Sequence, residues 1–221
     1  MSSRDAMMVS MMQKMSLRVR GLWTDRSGLA AVEFAMIFPI MVVLYFGVVE
    51  FSSAIAVDRK ATQVARTLSD LTSQSVSVAD ADLISFGQAA KAIMTPYPAQ
   101  PLISSITEVY VDKATGVTRA QWSKGLTIGP TGDVTISAGP HNPGDVVVLP
   151  TSLAVANGTY DSRGTYVIWS KVSYTYTPAI GYMMSKTGLP FNDAAFTRPR
   201  LVLCVIYPTG GSSTCPFPRM A

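Results

Sequence analysis

The sequence predicts an α+β protein: a long N-terminal transmembrane helix continuing outward as an amphipathic helix, then a small, mostly antiparallel β-rich domain. Three observations predict it. Leu29 to Val49 is an apolar run broken by a single charge, Glu33. Beyond it Val57, Ala61, Val64, Leu68 and Leu71 recur at spacings of four and three, the period of one helix face. After Pro96, Pro98 and Pro101 the chain turns to short Val/Ile/Thr/Tyr runs separated by Gly/Pro/Asn/Ser stretches, the pattern of strands and turns.

Residues 1–28 are rich in Met, Ser and Arg and lack apolar periodicity. They read as a basic cytoplasmic leader, with alternative starts at Met7, Met8, Met11, Met12 and Met15. Arg4, Lys14, Arg18, Arg20 and Arg26 outnumber Asp5 and Asp25 there, so most of the formal net charge of +4 lies in the leader. The remainder carries no basic patch of the kind nucleic acid requires, and no nucleic-acid partner is expected.

Residues 29–50 form the expected transmembrane helix. Leu29–Val49 as helix spans about 31 Å, the thickness of a bilayer's hydrocarbon core. Lys14, Arg18, Arg20 and Arg26 precede the run and Arg59, Lys60 and Arg66 follow it; the bias favours a cytoplasmic N-terminus. Residues 51–75 continue as the amphipathic helix, with Asp58, Arg59, Lys60, Gln63 and Arg66 off the stripe. That stripe packs either on the protein's own core or on a neighbouring molecule.

Residues 76–221 form the expected α+β domain. A second helix is expected from Asp80 to Met94, with acidic residues in its first turn and Leu83, Phe86, Ala90 and Ile93 on its apolar face. Strands are expected at Ile103–Asp112, in "VTRAQWS" after the turn "DKATG", and at Val134–Ile136, Val146–Leu149, Thr165–Thr177 and Arg200–Tyr207. "AGPHNPGD" and "ANGTYDSRG" read as loops.

The chemistry-bearing residues are few. Two cysteines and one histidine fall short of a four-ligand zinc site. Phosphate-cradling and dinucleotide-binding glycine patterns are absent, as is a Gly-x-Ser-x-Gly elbow. No cofactor and no catalytic residue is expected. His141 with Asp145 and Ser137 is the one conceivable hydrolytic set, and a lone loop histidine is ordinarily solvated surface.

Glu33 is the anomaly. A carboxylate in lipid costs roughly 2.5–3.5 kcal/mol and calls for a partner, yet no Lys, Arg or His lies within a turn of it on the apolar side. One reading lets it snorkel to the interface beside Arg26. In the other, a cut after Gly28 frees the α-amino group of Leu29, and Glu33 neutralises that cation, on its own chain or a neighbour's, at low dielectric.

The residues "SG-LAAVEF" resemble a prepilin processing site: a glycine, a cut, then an apolar run with glutamate fifth (Glu33) and an aromatic sixth (Phe34). With "VEFAMIFPIMVVLYFGVVEF", its early Pro39, and Gly47–Phe51, the segment resembles the TadE/TadG-like pseudopilins of tight-adherence (Flp-type) pilus systems. "VSYTYTP" (172–178) and "RPRLVLC" (198–204) resemble segments late in longer members. The resemblance implies cleavage after Gly28 by a prepilin peptidase on the cytoplasmic side. It also implies a single-pass inner-membrane protein with a periplasmic domain. Its partners would be pilin or other pseudopilin subunits, the inner-membrane assembly platform and the lipid bilayer, and its role would lie in pilus assembly without catalysis of its own.

A rival cut exists at Ala54-Ile55-Ala56, an A-x-A pattern before Val57, which would release a soluble binding or adhesin domain; the apolar core is long for such a signal. In an oxidising periplasm Cys204 and Cys215, separated by a Gly/Ser-rich loop, are expected to pair, against the alternative of two free buried thiols. Trp122, Trp169, Tyr110, Tyr166, Tyr174 and Tyr176 read as core or cross-strand pairs, with glycan or partner binding as the alternative.

Overall fold

A computed structural model describes residues 28–100, 102–112, 115–150, 153, 164–178, 188–208 and 215. The leader before Gly28 and most of "ANGTYDSRG" lie outside the described residues. The architecture is α+β: helix α1 (Leu29–Ser73), helix α2 (Asp80–Met94), and strands β1 (Ile103–Val111), β2 (Thr118–Ile128), β3 (Val134–Ala138), β4 (Tyr166–Tyr176) and β5 (Leu189–Thr197). The chain divides into two compact units between Val49 and Glu50.

In the first unit, Leu29–Val49 is regular helix whose large apolar side chains are exposed. Helix α1 continues through Pro39, although proline withholds the amide hydrogen that would bond the carbonyl of Ala35.

The second unit is a five-stranded sheet in the order β3-β2-β1-β4-β5 with every pairing antiparallel. The later turns of α1 and all of α2 share one hydrophobic core with one face of this sheet. Val57, Ala61, Val64 and Leu68 are fully buried there and Leu71 half-buried. The amphipathic stripe is therefore the domain's own core seam. Small residues at Ala61, Ala65 and Ser69 bring helix backbone and strand close enough to bond. Ser170 Oγ donates to Ala65 O at 2.5 Å, Ser69 Oγ to Ile168 O at 3.3 Å, and the Ser69 and Thr197 hydroxyls meet at 2.6 Å.

Helix α2 has the expected bounds. Asp82 accepts the Ala79 amide at 2.8 Å, tying its first turn, and Lys60 Nζ donates to Ile93 O at 2.6 Å and Thr95 O at 2.8 Å, satisfying carbonyls that a helix C-terminus leaves open. Gly87 lets α2 lie against β3: a Cβ there would stand 2.5 Å from Val134 Cγ1. At the β1–β2 turn, Asp112 Oδ1 accepts the Thr115 amide and Gly116 takes φ +71°, which costs glycine nothing.

Two expected strands are corrected. Val146–Leu149 makes one antiparallel bridge, Val146 to Arg119, and no strand. Val147 and Leu149 instead turn inward to cover Val109, Val111, Ala120 and Val167 on the sheet's second face. Arg200–Tyr207 is bent chain with one bridge, Ile206 to Ser77. Its backbone groups are taken elsewhere: Val205 N donates to Glu108 Oε1, and Ile206 exchanges bonds with Val76 and Val78. The fifth strand forms instead at Leu189–Thr197, where Pro190 and Asp193 weaken the sequence signal. An edge position tolerates both.

Candidate functional site

Gly28 stands one residue ahead of α1, with open space where a side chain would begin. The Gly28–Leu29 peptide thus sits at the start of the helix. An α-amine made there by cleavage would lie at the positive end of the helix dipole. Glu33 is four residues on, the spacing that stacks side chains on one helix face. Phe34 follows, its ring 5.6 Å from that of Phe38. Gly28, Leu29, Glu33 and Phe34 thus gather within the first two turns. The next charge after Glu33 is Glu50, about 25 Å further along the helix. Among the described residues α1 is the one helix long and apolar enough to cross a membrane.

Glu50 opens the folded unit and is only 5% exposed. Tyr176 Oη donates to its Oε2 at 2.9 Å, and Ser53 also bonds the Tyr176 hydroxyl. Burial, then the neighbouring Glu50, push the Tyr176 hydroxyl up to about 12. Glu50 is thereby a buried tie between α1 and β4. The signal was present, since Glu50, Ala54, Val57, Ala61, Val64 and Leu68 continue one four-three stripe.

A second buried carboxylate was missed. Glu108, 1% exposed, accepts from Trp122 Nε1 at 2.9 Å and from Val205 N at 2.6 Å. Burial pushes its carboxyl up to about 8, and the two donors restrain the rise. Its place between Ile106 and Tyr110 on the inward face of β1 was the available clue.

Cys204 and Cys215 form a disulfide packed beside Tyr110 and Tyr166. Tyr174 and Tyr176 are buried on the core face, Tyr174 donating to Pro98 O at 2.9 Å. Trp122 is core. His141 stacks on Trp169 at 5.6 Å and shares a hollow with Ser137. Asp145 accepts the Asn142 amide at 2.6 Å within its own turn. Helix α1 runs unbroken through Ala54–Val57, with Ala54 and Val57 in the core. A cut before Val57 would strip Glu50 and Ala54 from the folded unit.

Residues 28–69 match the family model described as TadE-like protein. The match begins at Gly28, runs the length of the apolar segment and ends on Ser69, inside the core-forming part of α1. Comparison with curated proteins and with solved structures gives no match.

Proposed function

We propose that this TadE-like chain is a membrane-anchored, pseudopilin-like component of tight-adherence (Flp-type) pilus assembly, cleaved after Gly28 by a prepilin peptidase. The observation that carries the reading is the coincidence of the family match with a physical boundary: the match starts at Gly28, and α1 starts at Leu29. Charge bias supports a cytoplasmic N-terminus, which puts the disulfide-bearing domain on the oxidising side. After cleavage Glu33 neutralises the Leu29 amine, on its own chain or on a neighbouring subunit in the membrane. The partners are pilin or pseudopilin subunits and the inner-membrane assembly platform, reached through the exposed apolar helix of the first unit. The stripe from Val57 to Leu68 is committed to the domain core, so helix-mediated assembly is assigned to Leu29–Val49. The protein acts by insertion and packing, without catalysis.

The test is the mature N-terminus and intact mass of the protein from the native membrane fraction, with Gly28→Ala expressed alongside. A start at Leu29, slowed or lost in the variant, supports the reading. A start at Val57, or an uncut chain in the native host, sinks it.

A further inference from the structure

The face of the sheet turned away from the helices carries a hollow of about 380 Å³ that the pilus reading does not use. Two cross-strand rows build it. Ser137, Gly125, Ser105 and Lys171 are successive register partners across β3, β2, β1 and β4. Thr127, Ile103, Ser173 and Asn192 form the next row across β2, β1, β4 and β5. Trp169, one register step beyond Lys171, stacks between His141 at 5.6 Å and Phe196 at 5.8 Å and closes one end.

The lining has a specific chemistry. Ser105, Ser137 and Ser173 present hydroxyls, and Asn192 an amide, that have no hydrogen-bond partner among the described residues. Hydroxyls and amides both donate and accept, which suits a polyhydroxylated ligand. Ile103 is 60% exposed at the floor and offers apolar surface to the C–H face of a sugar ring. The Trp169 Nε1–H is buried without a partner among the described residues, a state that ordinarily calls for an explanation. Gly125 keeps the floor open, since a Cβ there would come within 2.7 Å of Ser137 Oγ. The ionisable residues of the lining are Lys171 and His141, with no carboxylate; Lys171 Nζ lies 5.5 Å from the Trp169 ring centre. A volume of this order matches small-ligand sites.

We infer that this hollow binds an acidic saccharide, its hydroxyls held by the serine and asparagine rows and its carboxylate by Lys171. The inference stands on the sheet face alone and does not depend on processing at Gly28.

The experiment is titration of the full chain in lauryldimethylamine oxide, since glycosidic detergents carry competing sugars, followed by tryptophan fluorescence. The probes are a glucuronic-acid oligosaccharide, N-acetylmuramic acid, and neutral N-acetylglucosamine and glucose. Saturable binding of either acidic probe is expected, with Lys171→Met weakening it about tenfold through the lost charge-assisted bond. Gly125→Val, which fills the floor, should abolish it. Lys171 is exposed, so the Lys171→Met variant tests the site even if Gly125→Val fails to fold. A response to the uronate alone assigns a surface polysaccharide as the source; a response to the muramic acid alone assigns the cell wall. Either supports the inference. No saturable binding, equal binding of the neutral sugars, or no effect of Lys171→Met overturns it.

Discussion

Tyr176, the last residue of β4, donates its hydroxyl hydrogen to Glu50, the first residue of the folded unit, over 2.9 Å, across 126 positions of sequence. Glu50 is therefore structural: its carboxylate fixes where the domain begins on α1. Tyr176→Phe should destabilise the domain by about 1–3 kcal/mol, the cost of taking a partner from a buried polar group. Urea unfolding of the full chain in detergent, followed by near-ultraviolet circular dichroism, measures it. An unchanged midpoint would mean that the bond contributes nothing.

Glu108 makes stability fall as pH rises. Its carboxyl titrates near 8 in the folded chain, against an ordinary value of 4.5. Below about 4.5 both folded and unfolded states hold the proton. Between the two values only the folded state does, so each pH unit costs the fold about 1.4 kcal/mol, and above about 8 the loss is complete. The total is on the order of 5 kcal/mol. Unfolding free energy measured at pH 5, 6.5 and 8 should decline, and Glu108→Gln should flatten the slope. The variant should also cost stability at every pH: an amide that keeps its oxygen on Val205 N turns its NH2 toward Trp122 Nε1, donor against donor, and leaves that N–H with Val205 O as its acceptor.

Gly87→Ala should destabilise by about 1–3 kcal/mol through overpacking against Val134. Val134→Ala added to it should recover part of the loss, since the two residues share one contact. A thermal melt of the two single variants and the double variant closes the cycle; strict additivity would show that the contact is not the cause.

Cys204→Ser with Cys215→Ser should lower stability by about 3 kcal/mol, the loop-entropy value for closing a loop of this length, here a sequence separation of 11. Denaturant midpoints with and without reductant provide the measurement: reductant should shift the wild type and leave the double variant unmoved.

Period-driven elements were legible in the sequence. Both helices carry three-four apolar spacing, and α1 and α2 lie where that spacing puts them. Strands β1 and β4 carry branched and aromatic runs and were equally visible. What failed was local propensity without knowledge of pairing. Val146–Leu149 looks like a strand, but Val147 and Leu149 serve as a lid over the second sheet face. Leu189–Thr197 does not look like one, yet the exposed edge of β4 recruited it. The candidate processing residues could be read because chemistry and spacing coincide within six positions. Glu50 and Glu108 were missed because their roles depend on Tyr176, Trp122 and Val205, remote in sequence.

The meeting of Ser69 with Thr197 has a consequence for biogenesis. Helix α1 is made early, and its core-facing stripe is completed by a strand 128 residues later. At ribosomal rates of about 5–20 residues per second, that closure trails the helix by on the order of ten seconds. Val57, Ala61, Val64 and Leu68 wait for β1, β2 and β4 in turn, and the sheet against them is complete only with β5. If α1 inserts as proposed, it can do so before its continuation is fully covered, a greasy strip open to being drawn in after it or to sticking to another nascent chain. A holding chaperone would find its binding stretch there, and would have to let go before β5 can dock.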